Sequence, residues 1–227
     1  PTNAAFDELR INARAIGLGS SYTSMVNDAS AVYWNPAGLV NSSDKSISTM
    51  YANKYGIEDY RLNFISGSMK LKEYYLGVGW IKEGTVLEEE NNNEIVENEF
   101  SENRMIFSLA NEIKDNLALG VNLKHLSLNT TEKDKDGYGV DLGMLYDISP
   151  KTRLGFSAKN IIGDLEDETP LKSYHTGFAH AVNDNMKITG ETTIKKNPTG
   201  EDEYVIQPHF GAEYMLRDVA LRVGLDD

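Results

Sequence analysis

The chain has 227 residues, no cysteine and a formal net charge of −13, with a pI near 4.8 and a mean hydropathy of −0.43. The lack of Cys excludes disulfides, Cys-ligated zinc and thiol catalysis together, and the acidic balance argues against a partner bound by neutralising phosphates, so no nucleic acid is assigned. No window holds the roughly eighteen consecutive apolar residues of a spanning helix, but a spanning β-strand needs only about ten residues with one apolar face, so a membrane protein stays open.

The chain starts PTNAAFDELR without a signal peptide, as expected of a processed mature end, a trimmed chain or a protein never exported. The first 45 residues do not alternate. FDELRINARAIGLG is mixed, and SMVNDASAVYWN predicts a short helix capped by Asn27 or Asp28, ending where Pro36 disfavours helix at Asn35. From Ser46 onward apolar residues recur at every second position, the strand period. In GYGVDLGMLYDI, Tyr138, Val140, Leu142, Met144, Tyr146 and Ile148 share one face, Gly139, Asp141, Gly143 and Asp147 share the other, and only Leu145 breaks the pattern. Counting such runs predicts about eleven strands, near 46–55, 60–70, 73–83, 100–110, 116–128, 138–148, 152–162, 172–182, 185–195, 203–215 and 218–225.

The predicted connections alternate in length. KLKE, EIKDN, SPK, NDN and RD are short; NKYGIED, EGTVLEEENNNEIVENEFSE, NTTEKDKDG, GDLEDETPLK and KKNPTGEDE are longer and charged. A meander built this way puts all short turns at one end, as outer-membrane barrels do. Tyr138 and Tyr146 are eight residues apart, roughly 27 Å along a strand and about 20 Å of height after tilting, close to an apolar band between aromatic girdles. A soluble β-sandwich with its apolar face inward has the same period. The second face decides: Gly77, Gly79, Gly120, Asn122, Lys124, Arg153, Gly155, Ser157 and Lys159 suit a wet or plugged lumen. The fold class read from these features is all-β, an antiparallel up-and-down transmembrane barrel. Eleven is an odd count where bacterial single-chain barrels are even, so further strands are expected beyond residue 227. The apolar segment outside the sheet has a place inside it, as a plug covering Tyr33 and Trp34.

The pieces Ala13-Arg14-Ala15, Gly17-Leu18-Gly19, Asp28-Ala29-Ser30-Ala31-Val32 and Asn35-Pro36-Ala37-Gly38-Leu39 resemble the N-terminal signature of the FadL-like outer-membrane barrels. That superfamily contains long-chain fatty-acid and aromatic-hydrocarbon transporters and the PorV-type proteins of type IX secretion. The match departs at Ser21, where Ala is commoner, and at Asn27, where Asp is commoner; the spacing is nearest the short PorV/PorQ-like branch. The resemblance implies about 14 strands, with residues 1–45 as an N-terminal hatch or plug and residues 46–227 as barrel, C-terminally truncated.

No catalytic constellation is visible. His175 and His180 are five apart on one predicted strand and face opposite ways, His125 and His209 stand alone, and neither GxxxxGK[ST] nor GxSxG occurs. The chain is read as no enzyme and assigned no cofactor. Asp134 and Asp136, and Asp164 with Glu166, Asp167 and Glu168, are weak calcium candidates, more simply read as turns. The run from Glu88 to Glu102 reads as a solvated outer loop able to meet a partner or lipopolysaccharide. Val32, Tyr33, Trp34 and the break Asn35, Pro36, Ala37, Gly38 are the candidate ligand or gate residues, because backbone that cannot continue a helix can move.

The expectation is an outer-membrane barrel of a diderm bacterium, its signal peptide removed, in contact with bilayer and lipopolysaccharide. It binds or passes small hydrophobic molecules through a lumen closed by its hatch. The alternatives are a PorV-like, non-transporting protein that holds secreted cargo or a partner barrel, and a soluble periplasmic β-protein.

Overall fold

The computed structural model describes residues 6–53, 60–91, 94–131, 133–166, 169–197 and 204–226. The connection NKYGIED, most of KKNPTGEDE, and the calcium candidates Asp167 and Glu168 fall largely or wholly outside these residues. Eleven strands are described: β1 Lys45–Asn53, β2 Arg61–Leu71, β3 Tyr74–Asn91, β4 Glu94–Lys114, β5 Leu117–Thr130, β6 Lys135–Ser149, β7 Thr152–Leu165, β8 Ser173–Ala181, β9 Met186–Lys196, β10 Tyr204–Leu216 and β11 Val219–Asp226. They form one sheet in chain order, each strand antiparallel to the next. Among the described residues β1 and β11 do not pair with each other.

Side-chain alternation separates the membrane reading from the soluble one. Along β5, Gly120, Asn122, Lys124 and Leu126 are covered while Leu119, Val121 and Leu123 are exposed. Along β6, Gly139, Asp141, Gly143 and Leu145 are covered, and Tyr138, Leu142, Tyr146 and Ile148 are exposed. The polar row is inside and the apolar row outside, the inverse of a water-soluble sheet. Val78, Trp80, Phe107, Leu109 and Phe178 continue the outer row on neighbouring strands. A surface of this kind is solvated by hydrocarbon and not by water.

The short connections lie at one end of the sheet, and neighbouring ones are tied together. The amide of Lys70 donates to the Asp44 carbonyl at 2.8 Å, Asp147 to Asn116 at 2.9 Å, Ala181 to Lys151 at 2.8 Å and Met215 to Asn185 at 2.8 Å. One expected loop is different. Residues between Glu83 and Glu102 continue the β3–β4 ladder to the pair Asn91↔Glu94, so this connection is a long two-stranded ribbon. Thr85, Val86, Ile95 and Val96 are of strand-favouring types, and charge alone does not break a backbone ladder.

β7 carries an irregularity that matters for the interior. Val140 pairs with Ile162 and Leu142 with Ala158, so Asp141 alone faces residues 159–161. Asn160 takes φ 53 at this bulge, a left-handed conformation that Asn tolerates better than most residues. The bulge turns Lys159 and Asn160, neighbours in sequence, both to the covered side. Pairing of β7 with β8 stops at Lys159↔Ser173.

The inner face of the sheet is occupied by the N-terminal segment. It holds two short helices, α1 Ala13–Gly17 and α2 Ala31–Trp34, and a 3-10 turn, Pro36–Asn41. Ile11, Leu18, Tyr22, Val26, Val32, Trp34 and Leu39 pack there with Leu62, Phe64, Ile81 and Ile106 from β2 to β4. Each such side chain, fully covered, contributes about 1.5–3 kcal/mol of transfer free energy. The segment reaches both sheet edges. Ala29 N–H donates to Ser46 Oγ of β1 at 3.2 Å, and Arg10 pairs with Asp226 of β11 at 2.8 Å.

The outward assignment of the apolar row has a direct test. Val121→Lys should lower the unfolding free energy in lipid by about 2–4 kcal/mol, the cost of a lysine at bilayer mid-depth. Urea titration of the protein folded in phospholipid would measure it. A negligible change would place Val121 away from hydrocarbon.

Candidate functional site

The candidate residues 32–38 are all covered, and they form one contiguous wedge between the segment and the wall. α2 stops at Trp34 because Asn35 is extended, with φ −163, ahead of the proline. The predicted cap is shifted. Asp28 Oδ1 accepts from the amide of Ser30 at 2.8 Å and from its hydroxyl at 2.5 Å, while Ser30 occupies the N-cap position without a side-chain cap bond. The helix is therefore shorter than the sequence suggests.

Each part of the wedge fits a feature of the wall. A Cβ added at Gly77 or Gly79 of β3 would come within 2.6 or 2.7 Å of a Val32 methyl, so these glycines form the recess that receives Val32. Gly120 and Gly143 do the same for Pro36, where an added Cβ would lie 2.9 and 2.8 Å from its ring. Asn35 is the central tie. Its Nδ2 donates to the carbonyls of Thr23 at 3.0 Å and Met144 at 3.1 Å, and its Oδ1 accepts from Ala37 N–H at 3.1 Å. All of its polar atoms are thus bonded inside the protein. Ala37 packs against Ala118 and Leu145, so the one apolar residue that interrupts the polar face of β6 is an anchor for the wedge.

Tyr33 and Trp34 hold the start of the chain. Tyr33 Oη accepts from Leu9 N–H at 2.6 Å, and Trp34 Nε1 donates to the Ile11 carbonyl at 3.1 Å. Trp34 meets Tyr22 and Tyr33 edge to face, with centroids 6.0 and 5.4 Å apart. The Lys159 ammonium lies 4.2 Å from the Tyr33 ring centroid and 5.4 Å from that of Trp34. Burial pushes the Tyr33 phenol above its ordinary value, which keeps it neutral.

The segment is also held by charge. Arg14 grips Glu213 of β10 with two bonds, at 2.8 and 2.7 Å, and Arg222 of β11 reaches the same carboxylate at 2.7 Å. Nearer the start of the chain, Phe6 N–H donates to Glu102 at 2.8 Å, and Arg104 joins Glu102 at 2.8 Å to the Asp7 carbonyl at 2.9 Å. Lys124 pairs with Asp141 at 2.6 Å, and Asp141 also accepts from the Asn160 amide at 2.8 Å.

Tyr33 and Trp34 border a cavity of about 190 Å³ whose remaining lining includes Glu8, Lys159, His175, Glu191, Lys195 and His209. This polar room was not foreseen. His209, read as solitary, shares Thr193 with His175, since Thr193 Oγ lies 3.1 Å from both rings. The one available signal was position: His175, Glu191, Thr193 and His209 all fall on the polar rows of β8, β9 and β10. The other weak candidates are not gathered. Asp134 and Asp136 are exposed, Asp136 lies near His125 at 3.4 Å, and among the described residues no group of three potential ligands converges on a metal site.

Asn35→Ala removes three hydrogen bonds, two given to the Thr23 and Met144 carbonyls and one taken from the Ala37 amide. It should loosen the seated wedge by on the order of 1–3 kcal/mol. Limited proteolysis of the folded protein, followed by mass spectrometry of the N-terminal fragment, should show faster cutting within residues 6–39 than in the unaltered chain.

No family model and no curated protein matches this sequence. Solved structures do. The toluene transporter TodX of Pseudomonas putida matches with a TM-score of 0.75 and 14% identity, over 98% of this chain and 84% of that one. The CymD monoaromatic hydrocarbon channel matches at 0.71 and 16%, over 98% and 84%. A Pseudomonas aeruginosa FadL homologue matches at 0.64 and 10%, over 95% and 79%. With an apolar outer face, a polar inner face and, among the described residues, an antiparallel meander of eleven strands in chain order, the chain has the all-β fold of the FadL-type outer-membrane barrels.

Proposed function

We propose that the protein is an outer-membrane barrel that passes small hydrophobic molecules, with residues 46–227 as its wall and residues 1–45 as a hatch seated in the lumen. One observation carries the reading: a polar-lined interior faces a segment whose Val32-to-Gly38 wedge fits glycine recesses in the wall. Glycine recesses let one backbone approach another closely without interlocking long side chains, so the wedge can withdraw and return without repacking the strands. The likeness to a toluene transporter and a monoaromatic hydrocarbon channel favours aromatic hydrocarbons as ligands. Transport is passive in this reading. Ligand enters from the side of the longer connections, and displacement of the Asn35-Pro36-Ala37-Gly38 break opens the way past Tyr33 and Trp34.

A second reading has an observation of its own. Tyr33 and Trp34 are met by Leu9, Ile11, Tyr22 and Lys159 of the protein itself. A lumen filled in this way suits a PorV-like protein that holds cargo or a partner barrel and moves no small molecule.

Uptake separates the two. Cells of a host lacking such a channel, expressing this protein in the outer membrane, should accumulate radiolabelled toluene several-fold faster than cells without it. Trp34→Ala should change that rate in either direction by removing the bulkiest ring at the break. Uptake equal to the empty host, unaltered by Trp34→Ala, overturns the transporter reading and favours the partner-holding one.

A further inference from the structure

His175 of β8 stands between two carboxylates. Its Nε2 is 2.5 Å from Glu8 Oε1, and its Nδ1 is 3.1 Å from Glu191 Oε1. Glu8 belongs to the N-terminal segment. Glu191 belongs to β9 but also grips that segment, accepting from Thr23 N–H at 2.9 Å and Thr23 Oγ at 2.8 Å. The imidazole therefore joins both ends of one contact between segment and wall.

The hydrogen atoms around this ring can be assigned one by one. His209 Nδ1 faces the Gly19 carbonyl at 3.0 Å, which only accepts, so that nitrogen carries a hydrogen. A neutral His209 then has a bare Nε2, which takes the single hydroxyl hydrogen of Thr193 at 3.1 Å. Thr193 has none left for His175. Ser173 Oγ spends its hydrogen on Glu8 at 2.7 Å, so it has none for His175 Nε2 either. Both nitrogens of His175 face acceptors and must each bear a hydrogen. Moving the extra proton to His209 would free Thr193 to donate, but it would leave a bare His175 Nδ1 lone pair against Glu191.

Charge bookkeeping around the cavity gives the same answer. Lys195 answers Asp7 at 3.0 Å and Arg10 answers Asp226 at 2.8 Å. Lys159 of β7 stands 3.8 Å from Glu8. Glu191 takes two bonds from Thr23, and among the described residues no lysine or arginine lies within ion-pair distance of it; the His175 ring is its near partner at 3.1 Å, with the Lys159 ammonium acting from farther away. Burial alone would raise the Glu8 carboxyl, but His175 and Lys159 beside it hold it well below the usual carboxylate range.

We propose that a single proton held between Glu8, His175 and Glu191 latches the N-terminal segment to the wall, and that its loss releases the start of the segment. Without it, a neutral ring turns a lone pair toward one carboxylate, and Glu8 and Glu191 repel across it. The group that moves is residues 6–12, because Glu8 is on that stretch while His175, Glu191, Thr193 and Lys159 are on strands. The direction follows from linkage. The latched form binds one more proton than the released form, so latching weakens as pH rises. At the acid end Glu8 is depressed, so its contribution is present above the ordinary carboxyl range and disappears as pH falls below it. The latch is closed between these limits.

The latch is independent of whether the barrel transports, and its test reads the segment directly. Hydrogen exchange with mass spectrometry on the full chain in detergent, corrected for intrinsic rates, should show protection of residues 6–12 falling by up to about tenfold per pH unit above the histidine range. Glu8→Gln replaces the carboxylate with an amide that can donate to a neutral ring, and it should make the protection of residues 6–12 flat over the same range. Nitrogen NMR of labelled His175 should show an imidazolium at neutral pH in the unaltered chain and a neutral ring in Glu8→Gln. Exchange that does not depend on pH in the unaltered chain overturns the proposal. So does a pH dependence that survives Glu8→Gln in folded protein, or a neutral His175 at pH 7.

Discussion

In hydrocarbon a backbone N–H or C=O without a partner costs several kcal/mol, and water is not there to supply one. The continuous ladder from β1 to β11 answers that constraint, and most other features follow from it. Neighbouring strands must pair where they cross hydrocarbon, so connections at one end shrink to tight turns bonded edge to edge. The apolar row must face out, so the polar row faces in. A chain obeying these rules has no conventional core, and whatever fills the interior has to satisfy charged and amide groups as well as volume.

The N-terminal segment meets that demand in two ways. Toward β2, β3 and β4 it is an ordinary apolar contact, with Leu18, Val26, Val32 and Leu39 against Phe64, Ile81 and Ile106. Toward β5 through β11 it adds polar ties, in which Asn35, Thr23, Arg14 and Glu8 pair with wall groups, beside the apolar seats of Ala37 on Ala118 and Leu145 and of Phe6 on Leu126, Leu128 and Leu165. The first contact resembles a protein core and is strong at any pH. The second is sensitive to protonation, because a buried carboxylate or imidazole that loses its partner pays most of its desolvation cost. The stretch that depends most on the polar contact is the beginning of the segment, and this is also the stretch that Tyr33 and Trp34 hold.

Much of the architecture was legible along the chain. Strict alternation from Ser46, turns such as Lys72-Glu73 and Arg217-Asp218, and the glycines of the polar row are local signals. A strand period, a tight turn and a missing side chain each act on a few neighbouring residues. The ribbon between Glu83 and Glu102 was less legible, since a run of glutamates disfavours burial but does not forbid a ladder in water. The bulge at Asn160 was invisible, because extra residues in one strand are defined only against its partner.

The candidate wedge was found from its composition, an apolar run ahead of Asn-Pro-Ala-Gly, but what touches it was not. Sequence alone determined that the chain is an all-β meander with one apolar and one polar face, and that a non-alternating segment precedes it, because those properties reside in residues two or three positions apart. That Glu8 meets His175, Thr23 meets Glu191 and Asn35 meets the Met144 carbonyl was decided only by the tertiary structure. These contacts join residues more than a hundred positions apart, and they exist only once the sheet has curved around the segment and brought distant polar groups into one water-poor interior.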